Sequence, residues 1–477
     1  MGQRLSRPPA PENHVIVVFG GNGDLSKRKL LPALFHLEVE GLMPDDYRII
    51  GSSRSEFSNE AFDQFAREAI EEFSRCDVTA DEWAKFADRL SYVSLTFGPD
   101  NTEPLERAIA SAADAMGGSA RKLFYLSVPP TAFVSITQGL AKSGLADDAR
   151  VVFEKPFGTD LEGFRELDAT VRAALDDDQV YRIDHFLGKE TVQNILALRF
   201  ANGMFEPIWN RSHIDHVQID VPEELGIGTR ASFYESTGAL RDMVVTHLFQ
   251  VLSFVAIEPP ASFTPKALMD EVAKVFESMA PLDPDRVVYG QYEGYRAEDG
   301  VDPQSTTETF VAARVFVDNW RWSGVPFYLR TGKRLAERRS AVTLAFREPP
   351  RQMFREINPD PFDNDHLTID LGPEEGIRIT FLAKIPGPDI VLDEAHMDFR
   401  YEGTFGSEMI EAYERLIHDA LIGDRTLFTR ADGIKRTWEL VEALLDRPPE
   451  VRPYAQGSWG PKEADELIAP RRWHLPE

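Results

Sequence analysis

A single cysteine, Cys76, stands among 477 residues. That scarcity excludes internal disulfides and any cysteine-based metal cluster, and it suits a reducing compartment. Basic residues are also in short supply, 52 Lys and Arg against 79 Asp and Glu, which leaves a net charge of −27. A field of that sign repels polyanions, so neither nucleic acid nor an anionic membrane is an expected partner. A small anionic substrate would need basic side chains gathered locally. No stretch reads as long and apolar enough to cross a bilayer, and Met1 to Asn13 has three prolines and no apolar centre of the signal-peptide kind. A cytoplasmic protein with a disordered tail over residues 1–13 is therefore expected. Internal repeats, heptads and the histidine-glutamate helix motif of metal enzymes are missing too, and no metal is expected.

What is present begins with Val15-Ile16-Val17-Val18-Phe19, a continuous apolar run of the kind that forms a parallel strand covered on both faces. Gly20-Gly21-Asn22-Gly23-Asp24-Leu25 follows, then a helical pattern through Phe35 in which Pro32 predicts a kink. Strand, glycine turn and helix together make a phosphate cradle, since glycines admit a pyrophosphate to the backbone and the helix terminus favours its charge. The spacing differs from the usual three-glycine fingerprint, so a plain tight turn stays open. Tyr47 to Gly51 reads as a second strand, followed by Ser52-Ser53-Arg54 where an NAD enzyme places an acid for the ribose hydroxyls. Arg54 suits a 2′-phosphate, or is an ordinary solvated arginine.

Helix and strand patterns then alternate through Leu123 to Val128, Val151 to Phe153 and Val180 to Ile183, predicting a doubly wound sheet with functional groups at its carboxyl ends. Pro129-Pro130 and Glu154-Lys155-Pro156 fall at such ends. So does Asp184-His185-Phe186-Leu187-Gly188-Lys189, which places a carboxylate, an imidazole and an ammonium at a strand-to-helix junction. If that segment is helical, His185 and Lys189 share a face and can hold one anion between them. Beyond Ala201 the pattern becomes alternation (Val342, Leu344, Phe346; Leu367, Ile369, Leu371; Ile377, Ile379, Phe381), predicting an antiparallel sheet. Between the two parts, Leu240, Val244, Leu248 and Leu252 mark an amphipathic helix over Gly238 to Val255. It carries Arg241, Asp242 and His247; on an ideal α-helix the last two lie about 140° apart. A lone histidine beside an apolar stripe suits packing as well as catalysis.

Taken together, Gly20 to Leu34, Glu154 to Gly158, Arg182 to Glu190, Arg199 to Asn202, Pro207 to Asn210, Gly238 to Gln250, Gly324 to Lys333 and Ala412 to Ile417 make the chain resemble the glucose-6-phosphate dehydrogenases from Val15 to about Leu445. The resemblance implies an α/β nucleotide-binding (Rossmann-like) domain over 14–184, followed by an α+β domain with a large mostly antiparallel sheet over 185–477 that binds substrate and mediates oligomerisation. It implies oxidation of glucose 6-phosphate at C1 by NADP, with Asp184 and His247 as catalytic dyad, His185 and Lys189 on the sugar phosphate, and Lys155 touching substrate and cofactor. Glu223 and Asp242 match positions that bind sugar hydroxyls, and Lys333 and Arg338 match basic positions near substrate or cofactor. Gly20, Gly21, Asn22, Gly23, Asp24, Leu25, Arg54 and Pro129 are the expected cofactor contacts. A homodimer or homotetramer joined by the exposed face of the antiparallel sheet is implied as well.

Two departures stand out: Phe186 where the family usually has Tyr, and Asn22 where Ser or Thr is common. A glucose-fructose oxidoreductase type of enzyme is the rival that shares the fold and the Glu-Lys-Pro turn, but it has no need of His185 and Lys189 together. A nucleotide-sensing protein with a dead site is the rival outside enzymology.

Overall fold

The computed structural model describes residues 10–351, 353–354, 365–402, 404–405 and 410–475. Most of the expected tail lies outside the described residues; Ala10 to Asn13 carry no regular structure. The chain forms two compact units, one of Met1–Gly188 with Phe263–Met269 and Ile410–Ala431, the other of Lys189–Ser262, Asp270–Met409 and Asp432–Glu477.

The first unit contains a seven-stranded sheet. Its strands are β1 (His14–Phe19), β2 (Tyr47–Ser53), β3 (Leu90–Ser94), β4 (Arg121–Leu126), β5 (Ala149–Phe153), β6 (Val180–Ile183) and the late β15 (Phe428–Thr429), in the order β15-β6-β5-β4-β1-β2-β3. All pairings are parallel except that of β15 with β6. Every residue of β1 is buried, as its unbroken apolar run requires. The order reverses between β1 and β4, and the crevice outside the carboxyl ends at such a reversal is where nucleotides bind in this class of sheet.

The helix after the glycine turn is irregular where Pro32 was expected to disturb it. Residues Ser26–Leu30 take wide turns, with Leu31 N–H bonded to Ser26 O, before α-turns resume over Leu31–Val39. The irregularity thus lies just upstream of the proline, which has no N–H to donate.

The second unit holds nine strands: β7 (Ile214–Pro222), β8 (Val287–Tyr292), β9 (Phe310–Phe316), β10 (Pro326–Gly332), β11 (Ser340–Phe346), β12 (His366–Gly372), β13 (Gly376–Lys384), β14 (Leu392–Arg400) and β16 (Val451–Tyr454). Their order is β14-β13-β12-β11-β7-β10-β9-β8-β16. The sheet is mostly antiparallel, with parallel pairs at β7/β10 and β8/β16. At its β13/β14 edge one face carries the ion pair Arg378–Asp398 (2.8 Å). The other carries Ile377, Ile379 and Phe381 opposite Phe399, Met397 and Ala395, and Met397 is 55% exposed.

One stretch does have the length and apolar content that the sequence was expected to lack. The run Ala231–Ala256 is long and apolar enough to cross a bilayer by length and composition. However, 83% of its most apolar window is buried inside the protein, and Gly238, at φ 63° and ψ 176°, breaks the helix. Its apolar side chains serve the core, where they pack on β9 and β10.

Candidate active site

In the first unit the expected groups lie at the carboxyl edge of the parallel sheet. Gly20, at φ +78°, follows β1; a Cβ there would lie 2.0 Å from Ser127 O, so only glycine fits. Gly20 and Gly21 both donate N–H to Ser52 O, at 2.7 and 3.2 Å, and Gly23 N–H bonds Gly20 O at 2.8 Å. The turn is therefore pinned by β2, and it delivers Asn22, Asp24 and Leu25 to the first helical turn, where backbone N–H groups lack intrahelical partners and favour an anion. Asp24 is exposed and takes Arg28 Nε at 2.6 Å. Arg54 is exposed just past β2, and Pro129 is exposed past β4. These residues fit a dinucleotide: a glycine turn at the strand-order reversal, helical N–H groups, and a guanidinium at the end of the second strand.

Lys155 follows β5, and its peptide bond to Pro156 is cis. Its neighbour Glu154, to which the Glu-Lys-Pro motif alone assigns no role, is buried and accepts the Tyr125 hydroxyl at 2.5 Å. Burial lifts its carboxyl to about 7, opposed by the Tyr125 hydrogen bond and by Lys155, while Asp184 adds to the rise. Asp184 is 4% exposed past β6, and its Oδ1 accepts Phe186 N–H at 2.9 Å. His185 stacks on Tyr413, with ring centroids 6.1 Å and planes 12° apart. Burial, then Glu154 and Asp184, push the Tyr413 phenol upward, so it stays neutral at ordinary pH. The next residue, Glu414, meets His36 Nδ1 at 2.7 Å, which ties the helix Ala412–Ile422 to the helix of the glycine turn.

The helical face proposed for His185 and Lys189 does not form. Leu187 N–H closes a turn onto Asp184 O at 3.1 Å, and the helix begins only at Glu190, with Lys189 as its extended cap. Asp184 Oδ1, by accepting Phe186 N–H, makes a turn locally favourable, so the four-residue spacing carries no facial meaning there.

In the second unit Glu223 and Lys333, distant in sequence, form an ion pair, and the Lys333 side chain is almost wholly buried. Their meeting follows from the parallel pairing of β7 with β10, because Pro222 is opposite Gly332 and both chains end at the same edge. Lys189 and Arg338 belong to that edge too. Lys189 Nζ donates to Leu371 O at 3.1 Å near the end of β12, and Arg338 is exposed in the turn before β11. Half-buried Glu375 has its carboxyl raised by burial and lowered by Lys189.

Asp242 and His247 differ most from expectation. Leu240–Leu248 forms i→i+5 turns, ending with Phe249 N–H on Val244 O. Residues five apart then lie closer together around the axis than the about 140° of an α-helix. Asp242 is partly exposed and His247 is 1% exposed. An apolar stripe at i, i+4 cannot register such a widening.

The glucose-6-phosphate dehydrogenase NAD binding domain matches residues 17–194, and the glucose-6-phosphate dehydrogenase C-terminal domain matches 196–474. The chain belongs to the glucose-6-phosphate dehydrogenase family. It is 41% identical to the glucose-6-phosphate 1-dehydrogenase of Chlamydia pneumoniae, across 97% of this chain and 96% of that one. The glucose-6-phosphate 1-dehydrogenase of Mycobacterium avium has a solved structure with TM-score 0.88 and 38% identity, covering 98% of this chain and 99% of that one. A glucose-6-phosphate dehydrogenase solved in complex with its substrate glucose-6-phosphate gives TM-score 0.90 at 32% identity, covering 99% and 100%. Family membership and the parallel sheet both support a nicotinamide cofactor.

Proposed function

We propose that this chain oxidises glucose 6-phosphate at C1 to 6-phospho-D-glucono-1,5-lactone while NADP+ is reduced to NADPH, the first oxidative step of the pentose phosphate pathway. The observation that carries this is family membership along nearly the whole chain, in both matched domains. NADP is favoured over NAD by Arg54 just past β2, with serines at 52 and 53 where an acid would meet ribose hydroxyls.

In the reaction C1 gives up a hydride, and its hydroxyl gives up a proton as the carbonyl forms. The bound nicotinamide supplies the two-electron acceptor. His247 takes the proton: an imidazole has an ordinary pKa of about 6.5 and accepts protons near neutrality. Asp184 orients that imidazole and stabilises its charge as it forms. His185 and Lys189 hold the sugar phosphate, Glu223 and Asp242 the hydroxyls, and Lys155 reaches both substrate and cofactor. Lys333 positions Glu223 through their ion pair, and Arg338 adds positive charge at the same sheet edge. Metal has no assigned role.

The half-exposed apolar face of β13 and β14 supports assembly into a homodimer or homotetramer. A cytoplasmic location, without nucleic-acid or membrane partners, accords with the charge and the lone cysteine. The test is an absorbance assay of nicotinamide reduction with NADP and NAD, each with glucose 6-phosphate and with free glucose. Activity that requires both the phosphate and NADP supports the assignment, and turnover of free glucose favours the oxidoreductase rival.

A further inference from the structure

The helix that carries His247 starts in an unusual way. At Gly238 the preceding helix stops, and a Cβ there would lie 2.3 Å from Glu308 Oε1 and 2.7 Å from Glu308 Oε2. The chain then enters the wide turns at Leu240, whose N–H is accepted by Glu308 Oε1 at 2.9 Å; the Glu308 carbonyl accepts Ala239 N–H, also at 2.9 Å. One residue therefore takes two successive donors at the head of this helix, and its acidic side chain lies at the positive end of the helix dipole. Glu308 is 8% exposed. Burial raises its carboxyl, while the Leu240 bond and Arg241 act in the opposite direction.

The following residue extends the connection. Thr309 O accepts Lys333 N–H at 2.9 Å, and the Tyr454 hydroxyl bridges Thr309 Oγ1 (3.0 Å) and Lys333 O (2.6 Å). The dipeptide Glu308-Thr309 thus fixes the head of the wide-turn helix and the strand end that bears Lys333, partner of Glu223. A buried carboxyl and a glycine left without side-chain space are costly for a mere helix start, for which an exposed serine or asparagine suffices.

We propose that Glu308, seated against Gly238, is a positioning residue that sets the i→i+5 register of Leu240–Leu248 and so sets the direction of His247 relative to Asp242, a role that rests on the reading of His247 as the base. Slippage to an α-register would open the angle between the two to about 140°. The test is Glu308→Gln, made in the full-length enzyme and in the His247→Asn background, with kcat and both KM values measured in each. The carboxamide keeps the shape and weakens the acceptor. We expect kcat to fall about tenfold, with the KM for NADP within about twofold, since small misplacement of a reacting group is expensive in rate. In the His247→Asn background the same change should cost less than about twofold, because two residues acting through one group are not additive. An equal loss in both backgrounds, or none in the wild type, overturns the proposal. Wild-type kcat in His247→Asn alone defeats instead the assignment of the base. Should Glu308→Gln fail to fold, Glu308→Asp serves, since its shorter carboxylate falls short of Leu240 N–H; undiminished kcat in that variant also overturns the proposal.

Discussion

The imidazole of His185 lies nearly parallel to the phenol of Tyr413, with centroids 6.1 Å apart and planes at 12°. The two rings come from segments far apart in sequence, and the phenol gives the imidazole a fixed wall. If His185 holds the sugar phosphate, Tyr413→Ala should raise the KM for glucose 6-phosphate about two- to tenfold, the worth of one aromatic pair, and leave kcat nearly unchanged. Tyr413→Phe keeps the wall and should behave as wild type. Equal KM values for Tyr413→Ala and wild type would remove His185 from phosphate binding.

Arg54 stands exposed past β2 with serines before it. Arg54→Ala should weaken NADP binding by about 1.5–3 kcal/mol, roughly ten- to a hundredfold, and spare NAD. Fluorescence titration of the reduced cofactors measures both affinities; an unchanged ratio counts against the assignment.

Buried Glu154 makes stability depend on pH. Its carboxyl is raised from 4.5 to about 7 by burial, so the folded state holds a proton that the unfolded state releases. Folding therefore gains most from this group below pH 4.5 and loses that gain as pH rises toward 7, since stability falls wherever the native state binds more protons. Glu154→Gln removes the titration and should be more stable than wild type above pH 7 by roughly 3 kcal/mol, less whatever the Tyr125 hydrogen bond contributed. Denaturant unfolding at pH 5 and pH 8 checks this: a constant difference between the two proteins contradicts it.

Much of this arrangement was legible in the sequence because the signals were local. The apolar run of β1, the glycines behind it, and the strand-end positions of Lys155 and Asp184 all follow from a few adjacent residues. What stayed hidden depends on pairings that no local pattern contains. Glu223 meets Lys333 only because β7 and β10 run parallel in one register. Glu154 meets Tyr125 because β4 neighbours β5, and Tyr413 reaches His185 from a distant part of the sequence. Two geometric inferences failed for a related reason: the turn at Asp184 and the wide turns of Leu240–Leu248 are departures from the α-helical period on which both inferences stood.

The β13/β14 face predicts the oligomeric state. Phe381 and Met397 stand among its partly exposed apolar residues, and a charge there opposes burial against a second copy. Phe381→Asp with Met397→Asp should shift the sedimentation profile toward monomer while the secondary structure persists. An unshifted oligomer places the interface elsewhere.

Paired kinetics of the two histidine variants separate a proton acceptor at His247 from a phosphate holder at His185. His247→Asn should lower kcat by about 10²–10⁴ with little change in the KM for glucose 6-phosphate, and should lose the acid limb of the pH profile. His185→Asn should mainly raise that KM. The reverse pattern, with turnover lost in His185→Asn and only affinity lost in His247→Asn, would exchange the two roles and rule out His247 as the base.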